Sequence, residues 1–327
     1  MREFTIQLAL LVATLLLCAC RDRTHNNDFW IQLSDNKGAG VSDLAISESG
    51  AIVFGTFEDG VFGSKDGGKS WQQLGLPKTQ VWSLTIESNG SILVAAGEKG
   101  LFRIYDDGHA AELSVPEKFI MFIASIDSTL LLTRKKSEAP IDAPSYGEGL
   151  YVSSDRGQSW IGRAFLHSGG VAKVVQMSDG SILAVAMGED IYRSIDRGYR
   201  WSPIGFGSIT KWVQDIAVDS MGRFFVATHD SGLYRSDDGA KTWRRLRNGL
   251  TDSRVQAIIV APKDNLYVST YEGKGVFHST NAGDNWQLLN SGLTNFNVAC
   301  LALDANGFLY AGSLGGLYKS VKSVTSD

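Results

Sequence analysis

One short stretch recurs seven times along the chain, and its fullest copy runs from Gly60 to Trp71. This copy reads Gly, aliphatic, aromatic, any residue, Ser, any, Asp, any, Gly, any, any, Trp. The copies start at positions 60, 100, 149, 190, 232, 275 and 316, so successive copies lie 40 to 49 residues apart. A period of about 40 to 45 residues with internal turn signals is typical of a four-stranded propeller blade. The sequence therefore predicts an all-β fold, a seven-bladed β-propeller of four-stranded blades.

Five copies keep most of the Ser, Asp, Gly and Trp positions. In chain order these residues are Ser64, Asp66, Gly68 and Trp71; Ser153, Asp155, Gly157 and Trp160; Ser194, Asp196, Gly198 and Trp201; Ser236, Asp238 and Trp243; Ser279, Asn281, Gly283 and Trp286. Ala240 replaces the glycine in the fourth of these sets, and Asn281 replaces the aspartate in the fifth. The copies at 100 and 316 are incomplete, the last reaching only its serine, Ser320.

The first repeat shows how the motif sits on strands. Alternating or continuous apolar runs predict strands at 41–46, 51–55, 60–63 and 71–74, with a turn at Ser49–Gly50. The last repeat lacks a fourth strand, whereas Phe29–Leu33 precedes the first repeat and resembles the strand that begins at Trp71. We therefore expect the N-terminal strand to pair with Gly316–Ser320, close the ring and leave no open edge.

Composition fits this fold. The chain has 36 glycines, six prolines and 20% charged residues, which is typical of an ordered β-protein with many turns. Its net charge of −4 argues against a nucleic-acid partner.

The N-terminal segment predicts export. Arg2 and an apolar run from Ile6 to Leu17 form a signal peptide at 1–19, since the run is too short to remain as a spanning helix. Leu17–Cys20 resembles the lipobox of bacterial lipoproteins. This resemblance implies lipid on Cys20 and attachment to a bacterial membrane at its periplasmic side or the cell surface. The expected domains are then the signal peptide, the lipidated cysteine with a polar tether over 20–28, and the propeller over 29–327. The alternative is an ordinary secretory signal. Loss of Cys18 with the signal and lipid on Cys20 would leave Cys300 without a disulfide partner.

The Ser-x-Asp-x-Gly-x-x-Trp unit resembles the Asp-box, or BNR repeat, of sialidases and other propellers. Ser and Asp can bond the turn backbone, Gly accepts positive φ, and Trp buries its ring beneath the turn. Because the copies are spread around a ring and each has few oxygen ligands, we expect a structural role with no catalytic residue and no calcium. Phe102–Tyr105 resembles the Phe-Arg-Ile-Pro element of sialidases but has Tyr105 in place of proline. We expect neither a metal nor a cofactor, since the histidines are scattered.

A seven-copy Asp-box propeller behind a lipoprotein signal resembles the photosystem II stability/assembly factor-like family. That resemblance implies a non-catalytic, monomeric protein-binding scaffold in the cell envelope. The alternative function is a glycan-binding or glycan-cleaving lipoprotein, whose two catalytic carboxylates would have to face each other in a cleft.

The expected binding face lies opposite the Asp-containing turns. Connections between second and third strands meet the blade-to-blade connections there, and the one long repeat carries an insertion at 134–146 on that side. Arginine and aromatic side chains dominate interface energies. The candidate partner-binding residues are Arg134, Lys135, Tyr146, Lys211, Trp212 and Tyr271.

Overall fold

The computed structural model describes residues 28–35, 38–116, 119–134, 148–164, 171–186, 191–205, 213–251 and 254–325. In these ranges the chain forms seven separate four-stranded antiparallel sheets, with a short 3₁₀ turn at Pro262–Asp264. The sheets are the blades of a β-propeller, so the predicted fold class is confirmed. No helix of the described ranges is long and apolar enough to cross a membrane.

The strands, numbered along the chain, are β1 (Trp30–Ser34), β2 (Val41–Ile46), β3 (Ile52–Thr56), β4 (Val61–Ser64), β5 (Gln72–Gly75), β6 (Ser83–Ile86), β7 (Ile92–Ala95), β8 (Leu101–Ile104), β9 (Ala110–Leu113), β10 (Ile120–Ile126), β11 (Thr129–Arg134), β12 (Glu148–Ser153), β13 (Ile161–Ala164), β14 (Val171–Gln176), β15 (Ile182–Ala186), β16 (Ile191–Ser194), β17 (Ser202–Pro203), β18 (Val213–Val218), β19 (Phe224–Thr228), β20 (Gly232–Ser236), β21 (Arg244–Leu246), β22 (Val255–Ala261), β23 (Asn265–Thr270), β24 (Val276–Ser279), β25 (Gln287–Leu288), β26 (Val298–Leu303), β27 (Leu309–Ser313) and β28 (Gly316–Ser320).

Six blades are continuous in sequence. Blade 1 is β2–β5, and each following blade takes the next four strands up to β25. The first strand of each blade is the inner one, and these inner strands contact one another around the ring. The strands predicted for the first repeat are all present, shifted by at most one residue.

Blade 7 joins the two ends of the chain. Its order is β1–β28–β27–β26, and Trp30 pairs with Ser320 while Ile31 pairs with Lys319. The Trp30 side chain is 1% exposed, and its Nε1 donates a 2.6 Å hydrogen bond to the carbonyl of Leu289. The predicted closure by the N-terminal strand is therefore confirmed.

The core is divided among the gaps between blades. Seven clusters of buried apolar side chains each join two neighbouring blades, including one between blades 7 and 1 that contains Val41, Phe54 and Leu317. Each blade is thus stabilised by burial against both neighbours, as in other repeat architectures. This arrangement fixes the two faces of the ring on which a site can lie.

Candidate functional site

The Asp-containing turns join third and outer strands, and we call the face that carries them the turn side. In blade 1, Ser64 Oγ donates to Asp66 Oδ1 at 2.8 Å and accepts the Gly68 N–H at 2.8 Å, while the Ser70 N–H donates to Asp66 Oδ1 at 2.9 Å. The same three bonds recur at the turns that contain Asp155, Asp196, Asp238 and Asn281. All of these bonds close within one turn.

These bonds stabilise the ionised aspartate. At Asp155 the hydroxyl of Ser159, then its backbone N–H and the hydroxyl of Ser153, lower the carboxyl pKa to about 2. The equivalent donors, led by the Thr242 hydroxyl, lower the pKa of Asp238 to about 2. Each carboxylate is occupied by its own turn, which fits the expected structural role. That role stays a prediction.

The tryptophans connect these turns to the rest of the ring. Trp71 Nε1 donates to Leu33 of the preceding blade, and Trp160 Nε1 donates to Ser114 of its preceding blade. Trp201 and Trp243 instead donate to carbonyls of their own turns, those of Gly198 and Ala240. Trp286 is 5% exposed, and its Nε1 has no hydrogen-bond partner in the described ranges.

Arg103, in the element resembling that of sialidases, is not available to a substrate carboxylate. Its side chain is buried and forms a two-pronged ion pair with Glu87, with Nε–Oε2 at 2.7 Å and Nη2–Oε1 at 3.1 Å. Nη2 also donates to the carbonyl of Arg156 in the next blade. Arg235 makes the corresponding bond to the Ala282 carbonyl, whereas Arg193 pairs with Asp179 in its own blade.

The opposite face, which we call the loop side, brings together the two sets of connections that the sequence predicted there. The Gly60 N–H donates to Thr79 of the connection between blades 1 and 2, and the Tyr271 N–H donates to Arg254 of the connection between blades 5 and 6. Arg254 Nε also lies 2.9 Å from Glu272 Oε1. Strand-connecting turns and blade connections therefore form one continuous surface in these blades.

Two of the six candidate partner-binding residues, Arg134 and Tyr271, lie in the described ranges. Tyr271 lies on the loop side and lines the mouth of the central cavity described below. Arg134 is the last residue of β11. Lys135, Tyr146, Lys211 and Trp212, with the rest of the insertion, lie outside the described residues.

A cavity of about 510 Å³ lies on the ring axis and is lined by residues from all seven inner strands. It reaches the loop side, where Phe57, Trp82 and Tyr271 line its rim. Trp82 is 38% exposed, and its ring centroid lies 5.6 Å from that of Phe119. A concave cavity with aromatic walls and a few polar groups is the kind of place where proteins bind ligands.

One layer of the cavity carries most of its charge. Six inner strands have a bulge near their start, where the pairing register with the second strand shifts. Bulges redirect side chains. The residues just after this point, with the equivalent residue of blade 2, line the cavity as one layer: Asp43, Ser83, Phe122, Lys173, Asp215, Ala257 and Cys300.

The two aspartates of this layer occupy equivalent places. Asp43 accepts the N–H groups of Leu44 and, from the next blade, Leu84, at 2.9 and 2.8 Å. Asp215 accepts those of Ile216 and, from the next blade, Ile258, at 2.8 and 3.1 Å. Each aspartate therefore ties its inner strand to the inner strand of the following blade.

Lys173 provides the opposite charge. Its Nζ lies 3.7 Å from Asp215 Oδ1, and its side chain keeps 38% of its surface exposed. The Asp215 charge, as the main cause, raises the pKa of Lys173, whereas burial raises the pKa of Asp43 despite the attraction of Lys173. Burial also raises the pKa of the free thiol of Cys300. No group of three metal-binding side chains occurs in the described residues.

This layer was not among the sites predicted from the sequence. A signal was present, because aligning the repeats at Val41, Val171 and Val213 places Asp43, Lys173 and Asp215 at one position of a mainly apolar strand. A charged residue repeated at one position of an inner strand indicates a shared environment at the axis of the ring.

No family model and no curated protein matches the chain. Solved structures do match it. YCF48 bound to D1 peptide is 15% identical with a TM-score of 0.69, over 91% of this chain and 98% of that chain. Virginiamycin B lyase from Staphylococcus aureus is 13% identical with a TM-score of 0.72, over 89% and 97%. The extracellular domain of a hybrid two-component system from B. thetaiotaomicron is 15% identical with a TM-score of 0.70, over 90% of this chain and 40% of that one. At these identities the likeness shows that the chain shares their fold.

Proposed function

We propose that this chain is a non-catalytic, monomeric lipoprotein of the bacterial cell envelope that binds a protein partner through the loop side of its propeller. The observation that carries the proposal is the cavity with the aromatic rim of Phe57, Trp82 and Tyr271 on that side. Trp82 is exposed, and Phe57 and Tyr271 are half-buried. Accessible aromatic side chains around a concave site are typical of the centre of a protein interface. The similar structure of YCF48 bound to D1 peptide supports the proposal, because it shows that a protein of this fold can bind a peptide.

A binding role is favoured over catalysis by the state of the cavity carboxylates. Both oxygens of Asp43 and both oxygens of Asp215 accept backbone N–H bonds, so each carboxylate is fixed in one orientation. A general acid or base has to exchange a proton with the substrate, whereas a binding site needs only a fixed oxygen with a free lone pair. The solved structures of this fold include a lyase as well as YCF48, so fold likeness does not separate the two functions.

In this proposal the turn side has a structural role. We propose that the Asp-containing turns are Asp-boxes, because each aspartate bonds within its own turn. Partners would then bind on the other face, where the connections of neighbouring blades meet.

Photo-crosslinking tests the choice of face. A crosslinking amino acid would be placed in cells at Trp82 or Tyr271 on the loop side, and at Lys69 or Lys241 on the turn side. We expect covalent adducts of one defined mass from the first pair and none from the second. Adducts from the turn-side positions alone would overturn the proposal.

The membrane attachment is tested separately. In cells fed a labelled fatty acid, Cys20→Ser should abolish incorporation of label, because the proposed acceptor thiol is removed. The matched control Cys18→Ser should keep the label. Full labelling of Cys20→Ser would show that Cys20 is not the lipidated residue.

A further inference from the structure

The central cavity holds more negative than positive charge in its charged layer. Asp43 and Asp215 contribute two carboxylates, and Lys173 contributes one ammonium group, which lies nearer to Asp215. A carboxylate has about four lone-pair sites. At Asp43 three of them are used, by the backbone N–H groups of Leu44 and Leu84 and by the Ser83 hydroxyl. Asp43 can therefore accept one further hydrogen bond.

Two residues of the same wall also carry buried neutral polar atoms. Ser42 Oγ and Gln256 Oε1 are buried atoms of residues that line the cavity, and neither has a hydrogen-bond partner in the described ranges. Buried polar atoms are normally paired, so such atoms are unusual. Neither atom is exposed to the cavity, so the carboxylates of the charged layer are the acidic acceptors that an entering donor would meet.

Aromatic side chains line the entrance to the cavity. Phe57, Trp82 and Tyr271 line the cavity at the loop side, and Phe119 lies beside Trp82. Aromatic faces attract cations, and the aliphatic stem of a lysine or arginine packs well against them. The volume of about 510 Å³ suits a side chain with part of its own backbone.

A purely structural role explains part of this arrangement. The bonds from Leu84 to Asp43 and from Ile258 to Asp215 join neighbouring inner strands, and they account for the presence of acidic residues. They do not account for a layer whose formal charge stays negative beside Lys173. Lys173 attracts both carboxylates, and one ammonium group cannot balance two, so a second cation in the cavity would be stabilising.

We propose that the cavity binds a basic side chain, arginine or lysine, that a protein partner inserts from the loop side, with Asp43 as its main acceptor. This inference rests on the proposed protein-binding function and names the chemistry that the partner presents. The positive group would pass the aromatic rim and complete the charge balance of the layer formed by Asp43, Lys173 and Asp215.

End-blocked tripeptides test the inference on the purified full-length protein. Ac-Gly-Arg-Gly-amide would be compared by calorimetry or ligand-detected NMR with the same peptide carrying citrulline, which keeps the shape of arginine without its charge. We expect the arginine peptide to bind at least tenfold more tightly than the citrulline peptide. A glutamate peptide should bind no better than the citrulline peptide.

Two cavity variants should remove the preference for arginine. Asp43→Asn removes the main charge, and Ala257→Lys adds an internal ammonium group to the same layer while leaving both aspartates and their backbone bonds intact. If Asp43→Asn folds poorly, Ala257→Lys still tests whether binding depends on the negative charge of the layer. Asp59→Asn is the matched control, because Asp59 lies on the loop side but does not line the cavity.

The outcomes separate this inference from the proposed function. Equal binding of arginine and citrulline peptides, tighter binding of the glutamate peptide, or an arginine preference that survives in folded Asp43→Asn or Ala257→Lys would overturn the inference. An equal loss in Asp59→Asn would also overturn it, since it would indicate general attraction to an acidic surface. The photo-crosslinks at Trp82 and Tyr271 do not depend on these results and test the binding face on their own.

Discussion

The backbone of a single residue distinguishes the blade 5 turn from the other Asp-containing turns. Gly68, Gly157, Gly198 and Gly283 have φ between 83° and 90°, and Ala240 has φ of 72° at the same position. A side chain with a Cβ is disfavoured in this region, whereas glycine adopts it freely. The turn nevertheless forms, because Ser236 Oγ accepts the Ala240 N–H at 2.9 Å.

Ala240→Gly should therefore stabilise the protein. We expect the free energy of unfolding to rise by about 0.5–1 kcal/mol, since relief of the left-handed strain exceeds the added entropy of the unfolded chain. Thermal or urea unfolding would measure this gain. Gly283→Ala is the reciprocal control and should destabilise, because its Cβ would overlap the Leu246 side chain. A loss of stability in Ala240→Gly would contradict the strain argument.

Asp155 gives a prediction about acid. Its pKa of about 2 in the folded protein lies below the ~3.9 of an unfolded aspartate. Its contribution to stability is therefore complete above pH ~4 and is lost as the pH falls toward 2. We expect Asp155→Ala to lower the Tm at pH 7 by about 2–4 °C, and the difference from wild type to shrink between pH 4 and 2.

The control for this experiment is Gln158→Ala, an exposed position of the same turn. It should leave the Tm equal to that of the wild type at pH 7 and between pH 4 and 2. Crosslinking to the partner should be retained in Asp155→Ala at a temperature where the protein is folded. Loss of the adduct in that folded variant would show that the turn binds the partner directly.

At the scale of strands, buried polar pairs join β8 of blade 2 to the turn that follows β12 in blade 3. Arg103 on β8 bonds both Glu87, at the end of β6, and the carbonyl of Arg156 in that turn. Both charged side chains are only 7% exposed, so each depends on the other for its charge balance.

Arg103→Met should therefore cost about 3–5 kcal/mol of unfolding free energy, because it leaves the Glu87 charge buried alone. The double variant Glu87→Met/Arg103→Met should recover most of that loss in a double-mutant cycle. Arg193→Met is the control, since the Arg193–Asp179 pair is largely exposed and should contribute at most about 1 kcal/mol. Equal losses for Arg103→Met and Arg193→Met would contradict the importance of burial.

For the whole molecule, the pairing of β1 with β28 makes the ring continuous. Without β1, β28 would become an exposed edge, and the buried surface of Trp30 would be lost from the cluster between blades 6 and 7. Exposed strand edges promote association between molecules.

Deletion of residues 29–33 should therefore lower the Tm and cause aggregation, as measured by calorimetry and light scattering. Deletion of residues 21–27, which precede the strand, is the control and should leave the folded domain as stable as wild type. A soluble protein with unchanged Tm after the first deletion would show that ring closure adds no stability.

The sequence by itself determined the number of blades, their strand order and the closure by Phe29–Leu33. It could do so because a blade is a local unit of about 40 residues, whose turn residues and strand pattern lie close together in the chain. The same local signals identified the Asp-containing turns, where Ser153, Asp155 and Gly157 interact within five residues.

Only the tertiary structure revealed the cavity layer and the partner of Arg103. Asp43, Lys173 and Asp215 lie in three different blades and meet only because the closed ring brings seven inner strands to one axis. Glu87 meets Arg103 because β6 and β8 lie in one twisted blade with β7 between them. Contacts between distant parts of the chain depend on blade angle and bulge position, and the pattern of a single repeat specifies neither.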